Sequence, residues 1–403
     1  MPARFINRLE FDGTVGVTSG KKILMIAGEA SGDLHGSHLV KELLSLDPRL
    51  QFYGVGGEKM KNEGVELIAE SKEMAVVGIT EVLLKLKSIF RIYRKLKNSL
   101  AAHSPSLVIL IDYPDFNLHF AREAKKKNIP IVYYISPQVW AWRKGRIKKI
   151  GRLIKKMIVI FPFEKKIYEE AKIDVDFVGH PLLDSIRPRF SREEAFQKFS
   201  LTSGIVTIGL LPGSRMNEVR RLLPPMIEAI PLISKQINQV QFIIPVAPGL
   251  DLGEVKNLVG GKRENIRVVE NNIYDVMRIS DVVIVASGTA TIEAAIMGAP
   301  MIVVYRVSPL TYLLGKMLIK VKNIGMVNII AGKTVVPELI QKDVTPEKIT
   351  SAVLRILENP SKQEEIKKEL SSLKEKIGKP GASFRAAQII VSFLQRHANN
   401  GKL

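Results

Sequence analysis

The first half of the chain alternates short runs of β-branched residues with segments long enough to form a helix. From Ile23 onward the runs predict six strands: Ile23–Ala27, Gln51–Val55, Leu107–Ile111, Ile131–Ile135, Met157–Ile160 and Phe177–Val178. Strands that alternate with helices predict a parallel sheet covered by helices.

The same pattern restarts after the polar stretch Arg187–Gly204. The strands predicted there are Val206–Leu211, Gln241–Val246, Ile266–Val269, Val282–Ala286 and Met301–Val304, and the tail from Thr345 is mostly helical, with breaks at Pro360 and Pro380. We therefore expect an α/β protein with two doubly wound, Rossmann-like domains. Ligands bind at the carboxyl ends of parallel strands, so we expect the two domains to face each other across a cleft.

The pattern also predicts the domain bounds. We expect a flexible extension over residues 1–21, an N-terminal domain over 22–190 and a C-terminal domain over 200–380. Residues 381–403 are predicted to form a helix that packs across the domains or onto a dimer partner. Because residues 1–20 have no apolar core, they do not resemble a signal peptide.

Composition narrows the function further. The 403 residues are 46% hydrophobic, which is enough for two cores, and contain no cysteine, which favours a reducing, cytoplasmic location. The apolar runs are too short to span a membrane. The net charge of +20 attracts phosphorylated substrates, anionic lipid or nucleic acid, and does not choose among them.

Two glycine-containing turns follow predicted strands. In the first, strand Ile23–Ala27 leads into Gly28, Glu29, Ala30, Ser31, Gly32 and Asp33, where backbone N–H groups favour a phosphate or sugar oxygen. In the second, strand Val282–Ala286 leads into Ser287, Gly288 and Thr289, which suit a diphosphate, and into Glu293, which suits ribose hydroxyls. The alternatives are a turn that serves only packing, and a plain helix cap at Ser287 or Thr289.

Charged residues follow two further strands. Arg215 ends the stretch Leu211–Arg215 and suits a phosphate, or simply pairs with Glu218. Asp112 and Asp115 follow strand Leu107–Ile111, where a carboxylate is able to act as a general base. We expect Asp115 to cap the next helix, which leaves Asp112 as the better base.

Other residues carry weaker signals. Asp174 and Asp176 form a DxD pattern of the kind that binds metals in other transferases, but their setting indicates the surface, so we predict no metal. Apolar residues recur at helical spacing among lysines and arginines; they include Val82, Leu83, Leu86, Ile89 and Phe90. This pattern is typical of a helix on a membrane surface, although a buried stripe with a solvated cationic face explains it equally. The segment Arg143–Lys156, with eight basic residues, favours anionic lipid or nucleic acid.

Seven ordered motifs together resemble lipid-A-disaccharide synthases, a family of glycosyltransferases with the GT-B architecture, from Lys22 to the C-terminus. They are Gly28–Asp33 (GEASGD), Val77–Val82 (VGITEV), Asp112–Asn117 (DYPDFN), Ser136–Trp142 (SPQVWAW), Leu211–Arg215 (LPGSR), Ser287–Ala290 (SGTA) and Asn328–Gly332 (NIIAG). The resemblance implies an inverting transfer from UDP-2,3-diacylglucosamine to 2,3-diacylglucosamine 1-phosphate. The products are the β-1,6-linked lipid A disaccharide 1-phosphate and UDP.

The resemblance also assigns roles. Asp112 is the candidate base, while Arg215 and Asn328 correspond to family residues of the donor side. We expect Arg306 to help offset the charge of the departing diphosphate without a metal or other cofactor. The implied partners are a membrane surface, at the inner face of the cytoplasmic membrane, and a second copy in a homodimer; nucleic acid is not implied. Another GT-B enzyme, such as a peptidoglycan-lipid glycosyltransferase or a UDP-sugar 2-epimerase, remains the alternative.

Overall fold

The computed structural model of the protein describes residues 20–74, 79–137, 145–261, 265–309, 312 and 323–400. Within these ranges the side chains of residues 79–85 and 398–400 are not described. The predicted extension, apart from Gly20 and Lys21, and the motif residues 77–78 and 138–142 therefore lie outside the described residues.

Thirteen strands are found in the described residues, in two sheets. They are β1 Lys22–Ala27, β2 Gln51–Gly56, β3 Glu66–Glu70, β4 Leu107–Ile111, β5 Ile131–Tyr134, β6 Lys156–Val159, β7 Val175–Phe177, β8 Val206–Leu211, β9 Val240–Val246, β10 Ile266–Glu270, β11 Val282–Ala286, β12 Met301–Tyr305 and β13 Glu338–Ile340. One sheet has the order β3-β2-β1-β4-β5-β6-β7 and the other the order β10-β9-β8-β11-β12-β13. Their paired strands run parallel, for example Ile23 beside Phe52 and Val282 beside Ile208.

Helices connect the strands. Their bounds are Ala30–Leu46, Glu58–Asn62, Ser71–Met74, Ile79–His103, Pro114–Lys126, Arg146–Leu153, Pro162–Glu170, Leu182–Ser185, Arg192–Lys198, Met216–Gln236, Leu252–Val259, Ile273–Ile279, Thr289–Ile296, Met326–Ala331, Pro346–Leu357, Pro360–Lys376 and Ala382–Asn400. None of the described helices has both the length and the hydrophobicity of a membrane span.

The predicted fold class is confirmed, because both sheets are parallel and flanked by helices in the Rossmann manner. All eleven predicted strands are present within two residues of their predicted ends, and β4, β8 and β11 match exactly as predicted at both ends. Two strands were not predicted, β3 and β13. Each lies at the edge of its sheet, so its faces are less buried and its residues carry no continuous apolar run.

The chain divides into two compact units. One contains the residues up to Val132 together with those from Ala387 onward, and the other contains Tyr133–Ala386. In the first unit, the ammonium of Lys21 donates to the carbonyl oxygen of Leu394 over 3.3 Å. In the second, the carboxylate of Asp184 accepts from the backbone N–H groups of Gly381 and Ala382, which fixes the start of the last helix. The predicted domain bounds near residues 190–200 stay a prediction.

Candidate active site

Asp112 lies in a strained turn at the carboxyl end of β4. Asp112 and Tyr113 both have left-handed backbones, with φ of 44° and 48°, a conformation that residues other than glycine seldom adopt. The buried amide of Asn117 donates to the carbonyl oxygens of Ile111 and Asp112, over 3.2 and 2.7 Å. These bonds hold the turn and therefore fix where the Asp112 side chain starts.

The surroundings of Asp112 disfavour its charge. The pKa of this carboxyl is raised from its ordinary value to about 6, mainly by partial burial and also by the nearby Glu29 carboxylate, while a backbone hydrogen bond from Tyr113 opposes the shift. A carboxylate with a pKa near 6 is ionised at neutral pH and is more basic than an ordinary aspartate. Such a group is suited to accept a proton.

The prediction that Asp115 caps the following helix is wrong. The helix begins at Pro114, so the cap position falls on Tyr113, and Asp115 lies inside the first turn. The fixed φ of proline suits the first helical position, and this moves the helix start ahead of Phe116.

The turn after β1 packs directly on the turn after β4. A Cβ atom added to Gly28 would lie 2.4 Å from the ring of Tyr113, so no other residue fits beneath that ring. The hydroxyl of Tyr113 in turn donates to the carbonyl oxygen of Met74 over 2.8 Å. The GEASGD and DYPDFN motifs are therefore parts of one structure.

The polar residues of the GEASGD turn differ in how accessible they are to a ligand. The buried Asp33 carboxylate accepts from the backbone N–H groups of Gly57, Lys59 and Met60 over 2.7, 3.2 and 3.0 Å, so it holds the start of helix Glu58–Asn62. Glu29 is partly exposed and Ser31 is exposed, whereas Gly32 is buried against Ala27. A ligand at this turn would meet Glu29 and Ser31 before Asp33.

In the second unit, Ser287, Gly288 and Thr289 form the turn between β11 and helix Thr289–Ile296. Gly288 has a φ of 145° and occupies the cap position, so neither Ser287 nor Thr289 is the cap. The hydroxyl of Ser287 donates to the carbonyl oxygen of Ile324 over 3.2 Å, and Thr289 is exposed. The first N–H groups of a helix lack a carbonyl partner one turn earlier, so the start of helix Thr289–Ile296 suits an anion.

Glu293 lies one turn into the same helix and has a partner that the sequence did not reveal. The hydroxyl of Tyr274 donates to Oε1 of Glu293 over 3.0 Å. Desolvation raises the pKa of Glu293 above its ordinary value, and the bond from Tyr274 opposes this shift. Tyr274 therefore orients the carboxylate and favours its ionised form.

The two arginines predicted for the donor have different surroundings. Arg215 is exposed and pairs with Glu218 over 3.2 Å, which is the alternative that the sequence left open. Arg306 follows β12 and donates to the carbonyl oxygens of Gln341 and Val344 over 3.4 and 2.9 Å. Arg215 is thus the more accessible of the two.

Asn328 is completely buried and fully hydrogen-bonded. Its amide nitrogen donates to the carbonyl of Val336 and to the carboxylate of Glu338, and its oxygen accepts from the N–H groups of Val335 and Val336. Glu338 also accepts from the N–H groups of Ile324 and Gly325. Asn328 is thus connected to the Ser287 turn indirectly. It donates to Glu338, Glu338 accepts from the N–H of Ile324, and the carbonyl oxygen of Ile324 accepts from Ser287.

Comparison with known proteins decides the family. The family model described as lipid-A-disaccharide synthetase matches residues 23–392, which is most of the chain. The chain belongs to this family. A lipid-A-disaccharide synthase of Syntrophus aciditrophicus is 48% identical over 94% of this chain and 99% of its own length, and one of Geobacter sulfurreducens is 47% identical over 93% and 97%.

Solved structures with the same fold are more distant. The glycosyltransferase of kitacinnamycin has a TM-score of 0.64 at 14% identity, with 93% of this chain and 99% of that chain covered. A UDP-GlcNAc 2-epimerase from Neisseria meningitidis has a TM-score of 0.61 at 13% identity, with 93% and 100% covered. At such identities the likeness shows the GT-B fold alone, whereas membership of the lipid-A-disaccharide synthase family makes the chain a glycosyltransferase.

One helix of this family member exposes apolar side chains among cations. In helix Ile79–His103, Ile92, Leu96 and Leu100 are buried, but Leu86 is 49% and Phe90 62% exposed, and Ile89 is partly exposed. The buried-stripe interpretation is therefore wrong at Leu86 and Phe90. The side chains of Val82 and Leu83 lie outside the described residues. The exposed cations beside this patch are Lys87, Arg91, Arg94 and Lys95.

The DxD pattern has a structural explanation. Lys156 is buried, and its ammonium pairs with Asp174 over 2.5 Å and with Asp176 over 2.6 Å. The two carboxylates thus neutralise a buried cation where β6 and β7 lie side by side. Lys156 is consequently not available to a lipid headgroup, which corrects the prediction for the end of the basic segment. Residues 143 and 144 of that segment lie outside the described residues.

Proposed function

We propose that this chain transfers 2,3-diacylglucosamine from its UDP derivative to the 6-hydroxyl of 2,3-diacylglucosamine 1-phosphate. The products are the β-1,6-linked disaccharide 1-phosphate and UDP. Family membership supports a UDP-sugar donor and a lipid-linked acceptor. The observation that carries the mechanism is Asp112, a partly buried carboxylate with a pKa of about 6 at the end of β4.

The chemistry is a single displacement with inversion. Asp112 takes the proton from the acceptor 6-hydroxyl as its oxygen forms a bond to the anomeric carbon of the donor. The bond from that carbon to the diphosphate oxygen breaks, and both of its electrons leave with UDP. The higher basicity that burial and Glu29 give to Asp112 makes this proton transfer more favourable.

The donor is bound by the second unit. The backbone N–H groups of Gly288 and Thr289 donate to the diphosphate oxygens, and Glu293, held by Tyr274, accepts hydrogen bonds from the ribose hydroxyls. Arg215 exchanges Glu218 for the diphosphate, because the diphosphate carries two negative charges and the carboxylate carries one. Arg306 contributes its charge from a greater distance, and Asn328 acts as a positioning residue for the Ser287 turn.

The acceptor is bound by the first unit, at the turn that contains Glu29, Ser31 and Gly32. Glu29 and Ser31 offer polar atoms to the sugar, while Asp33 keeps the turn in place. Closeness to Asp112 supports this assignment, because Glu29 is near enough to shift the Asp112 pKa.

Helix Ile79–His103 supports contact with the inner face of the cytoplasmic membrane. Leu86 and Phe90 insert among acyl chains, and the neighbouring cations attract anionic headgroups. The surface thereby brings the chain to substrates that carry acyl groups. A homodimer through residues 381–403 stays a prediction.

The alternative functions have less support. A 2-epimerase shares the fold at 13–14% identity, but the relatives that are 41–48% identical over nearly the whole chain are lipid-A-disaccharide synthases. An epimerase would also need no acceptor sugar. A peptidoglycan-lipid glycosyltransferase is not favoured either, because the family model that matches residues 23–392 is described as lipid-A-disaccharide synthetase.

The deciding experiment measures UDP release from UDP-2,3-diacylglucosamine in detergent, with and without the 1-phosphate acceptor and with excess EDTA. We expect acceptor-dependent release that survives EDTA and falls by about 10²–10⁴-fold in Asp112→Asn. Asp115→Asn is the matched control, because Asp115 is an exposed carboxylate of the same motif. Release without acceptor, or equal rates in both variants, would contradict the proposal.

A second experiment tests the membrane surface by co-flotation with vesicles that contain anionic lipid. The double variant Leu86→Ser with Phe90→Ser should lose binding, whereas Leu46→Ser with Phe384→Ser should retain it. The control pair is also large, apolar and exposed, at 38% and 40%. Equal loss in both pairs would show that general surface hydrophobicity, and not this helix, binds the vesicles.

A further inference from the structure

A cavity in the second unit is lined by residues other than those of the Ser287 turn. Its volume is about 330 Å³, and its walls come from helix Met216–Gln236, from the start of helix Pro346–Leu357 and from Arg306 after β12. These two helices pack on each other, whereas helix Thr289–Ile296, which carries the Ser287 turn, packs on helices Met326–Ala331 and Pro360–Lys376. The described lining of the cavity therefore does not include Ser287, Gly288 or Thr289, the turn proposed for the donor diphosphate.

Three arginines line this cavity, namely Arg220, Arg221 and Arg306. They differ in whether their guanidinium groups already have hydrogen-bond partners. Arg220 pairs with Glu254 over 2.5 Å, and Arg306 donates to the Gln341 and Val344 carbonyls. Within the described ranges, the guanidinium of Arg221 forms no hydrogen bond or ion pair. Arg221 therefore retains its full set of donors.

Acidic groups do not cancel this charge. Glu228 is the acidic residue among the described lining residues, against three guanidinium groups. Glu347 is already engaged at the start of helix Pro346–Leu357, where hydrogen bonds from its own backbone N–H and from the Thr345 hydroxyl lower its pKa. The end of that helix is consequently occupied, and the attraction for an anion comes from the arginines.

We propose that this cavity binds a phosphate monoester, with Arg221 as its main contact and Arg306 as the second. Guanidinium groups bind phosphate oxygens in pairs of parallel hydrogen bonds, and two of them match the two charges of a monoester. The volume lies at the lower end of the range for small-molecule pockets, which fits a single sugar phosphate or a lipid headgroup. The site shares Arg306 with the residues proposed to offset the donor charge, whereas Arg221 has no role in the proposed transfer reaction.

The test uses the full chain at low ionic strength with UDP at saturation, so that the donor site is filled. Glucose 1-phosphate binding is measured by calorimetry in the unmodified chain and in the variants Arg221→Gln and Arg355→Gln. Arg355 is an exposed arginine in the last turn of helix Pro346–Leu357, about 13 Å along the axis from Pro346, so its substitution makes the same charge change elsewhere. A parallel arm uses phosphatidylcholine vesicles with and without phosphatidic acid, whose headgroup is a phosphate monoester.

We expect Arg221→Gln to weaken binding by about tenfold or more, and Arg355→Gln to change it by less than about twofold. If Arg221→Gln weakens the binding of glucose 1-phosphate, the ligand is a soluble phosphate monoester. If it weakens only the binding of phosphatidic acid vesicles, the ligand is a lipid headgroup. Both results support the site. Equal weakening in the two variants, or no Arg221-dependent binding in either arm, would overturn it. Glucose 1-phosphate binding that is seen without UDP and lost when UDP is added to saturation would also overturn it, because the anion would then occupy the donor site.

Discussion

The side chain of Asn117 holds the main chain of Asp112 through a 2.7 Å hydrogen bond from its amide nitrogen to the Asp112 carbonyl oxygen. A second bond to Ile111 ties the same amide to the last residue of β4. The turn is left-handed at two successive non-glycine residues, an arrangement that persists only when its surroundings fix it. Asn117 is therefore part of what positions the proposed base.

Asn117→Asp should lower kcat by about 10²-fold, because a carboxylate would replace the donor that faces two carbonyl oxygens and the turn would shift. The free energy of unfolding should fall by roughly 1–3 kcal/mol, since buried acceptors lose their partner. UDP release and urea denaturation measure the two effects. Asn62→Asp, at an exposed asparagine, should change neither. Unchanged kcat in a destabilised Asn117→Asp protein would limit Asn117 to a role in folding.

The pH dependence of transfer should report Asp112. A general base must be ionised, so kcat/KM should fall by about tenfold per pH unit once the pH drops below about 6. Because Glu29 contributes to the raised pKa, Glu29→Gln should move this fall to lower pH. Initial rates over a pH series measure the profile. A profile that is flat down to pH 4, the usual range of an aspartate, would remove Asp112 as the base.

The free energy of unfolding should also depend on the ionisation of Asp112, but in the direction opposite to activity. It should decrease as the pH rises. The folded state raises the pKa of Asp112 above its unfolded value of 3.8, so the favourable contribution is present below that value and is lost as the pH rises through about 6. Asp112→Asn removes the cost of the buried charge and should raise the free energy of unfolding at pH 8 by roughly 1–3 kcal/mol. Below about pH 4 the difference should vanish. Denaturation at both pH values measures it, and an equal difference at both would contradict a raised pKa.

Tyr274→Phe should weaken donor binding while leaving the chemical step nearly intact. Glu293 loses the hydroxyl that orients it and stabilises its charge, so the donor KM should rise by about threefold to tenfold, most strongly at low pH. Steady-state kinetics with varied donor measure KM and kcat separately. Tyr93→Phe is the control in the first unit. A fall in kcat with unchanged KM would show that Tyr274 acts elsewhere.

A substitution of Asp33 tests whether this residue stabilises the turn or binds the acceptor. Asp33→Asn keeps the size of the side chain but replaces an acceptor oxygen with a donor, opposite three backbone N–H groups. We expect the free energy of unfolding to fall by about 1–3 kcal/mol, with kcat and acceptor KM per folded molecule nearly unchanged. Denaturation and acceptor titration measure these quantities. A large rise in acceptor KM without loss of stability would instead place Asp33 among the binding residues.

The sequence predicted the fold well because its central strands are buried on both faces. Strands such as β4 and β11 consist entirely of apolar residues and end at polar turns, so their bounds are visible in the pattern. Edge strands lack that signal, and β13 has only three residues. Helix starts were harder to predict, since a cap at Asp115 would start the helix at Phe116, whereas the helix begins two positions earlier, at Pro114.

The positions of the turns that form the site could be predicted from the sequence, but the hydrogen bonds between their residues and the rest of the chain could not. Asp112, Ser287 and Arg215 each follow a recognisable strand, so their place at the sheet edge could be read from the chain. Their partners could not, because Glu338 lies ten residues after Asn328 and Tyr274 lies nineteen before Glu293. Such contacts depend on how helices and loops pack, and no local pattern encodes them.

The order in which the first unit's parts are synthesised has a consequence for its folding. This unit combines the residues up to Val132 with those from Ala387 onward, and the 254 residues of positions 133–386 are made in between. At roughly 5–20 residues per second, a nascent chain waits about 13–50 s before its last helix is available. During that interval, the apolar side chains that Ile390, Phe393 and Leu394 later pack against are uncovered. The first unit therefore completes its fold only after the whole of the second unit has been synthesised.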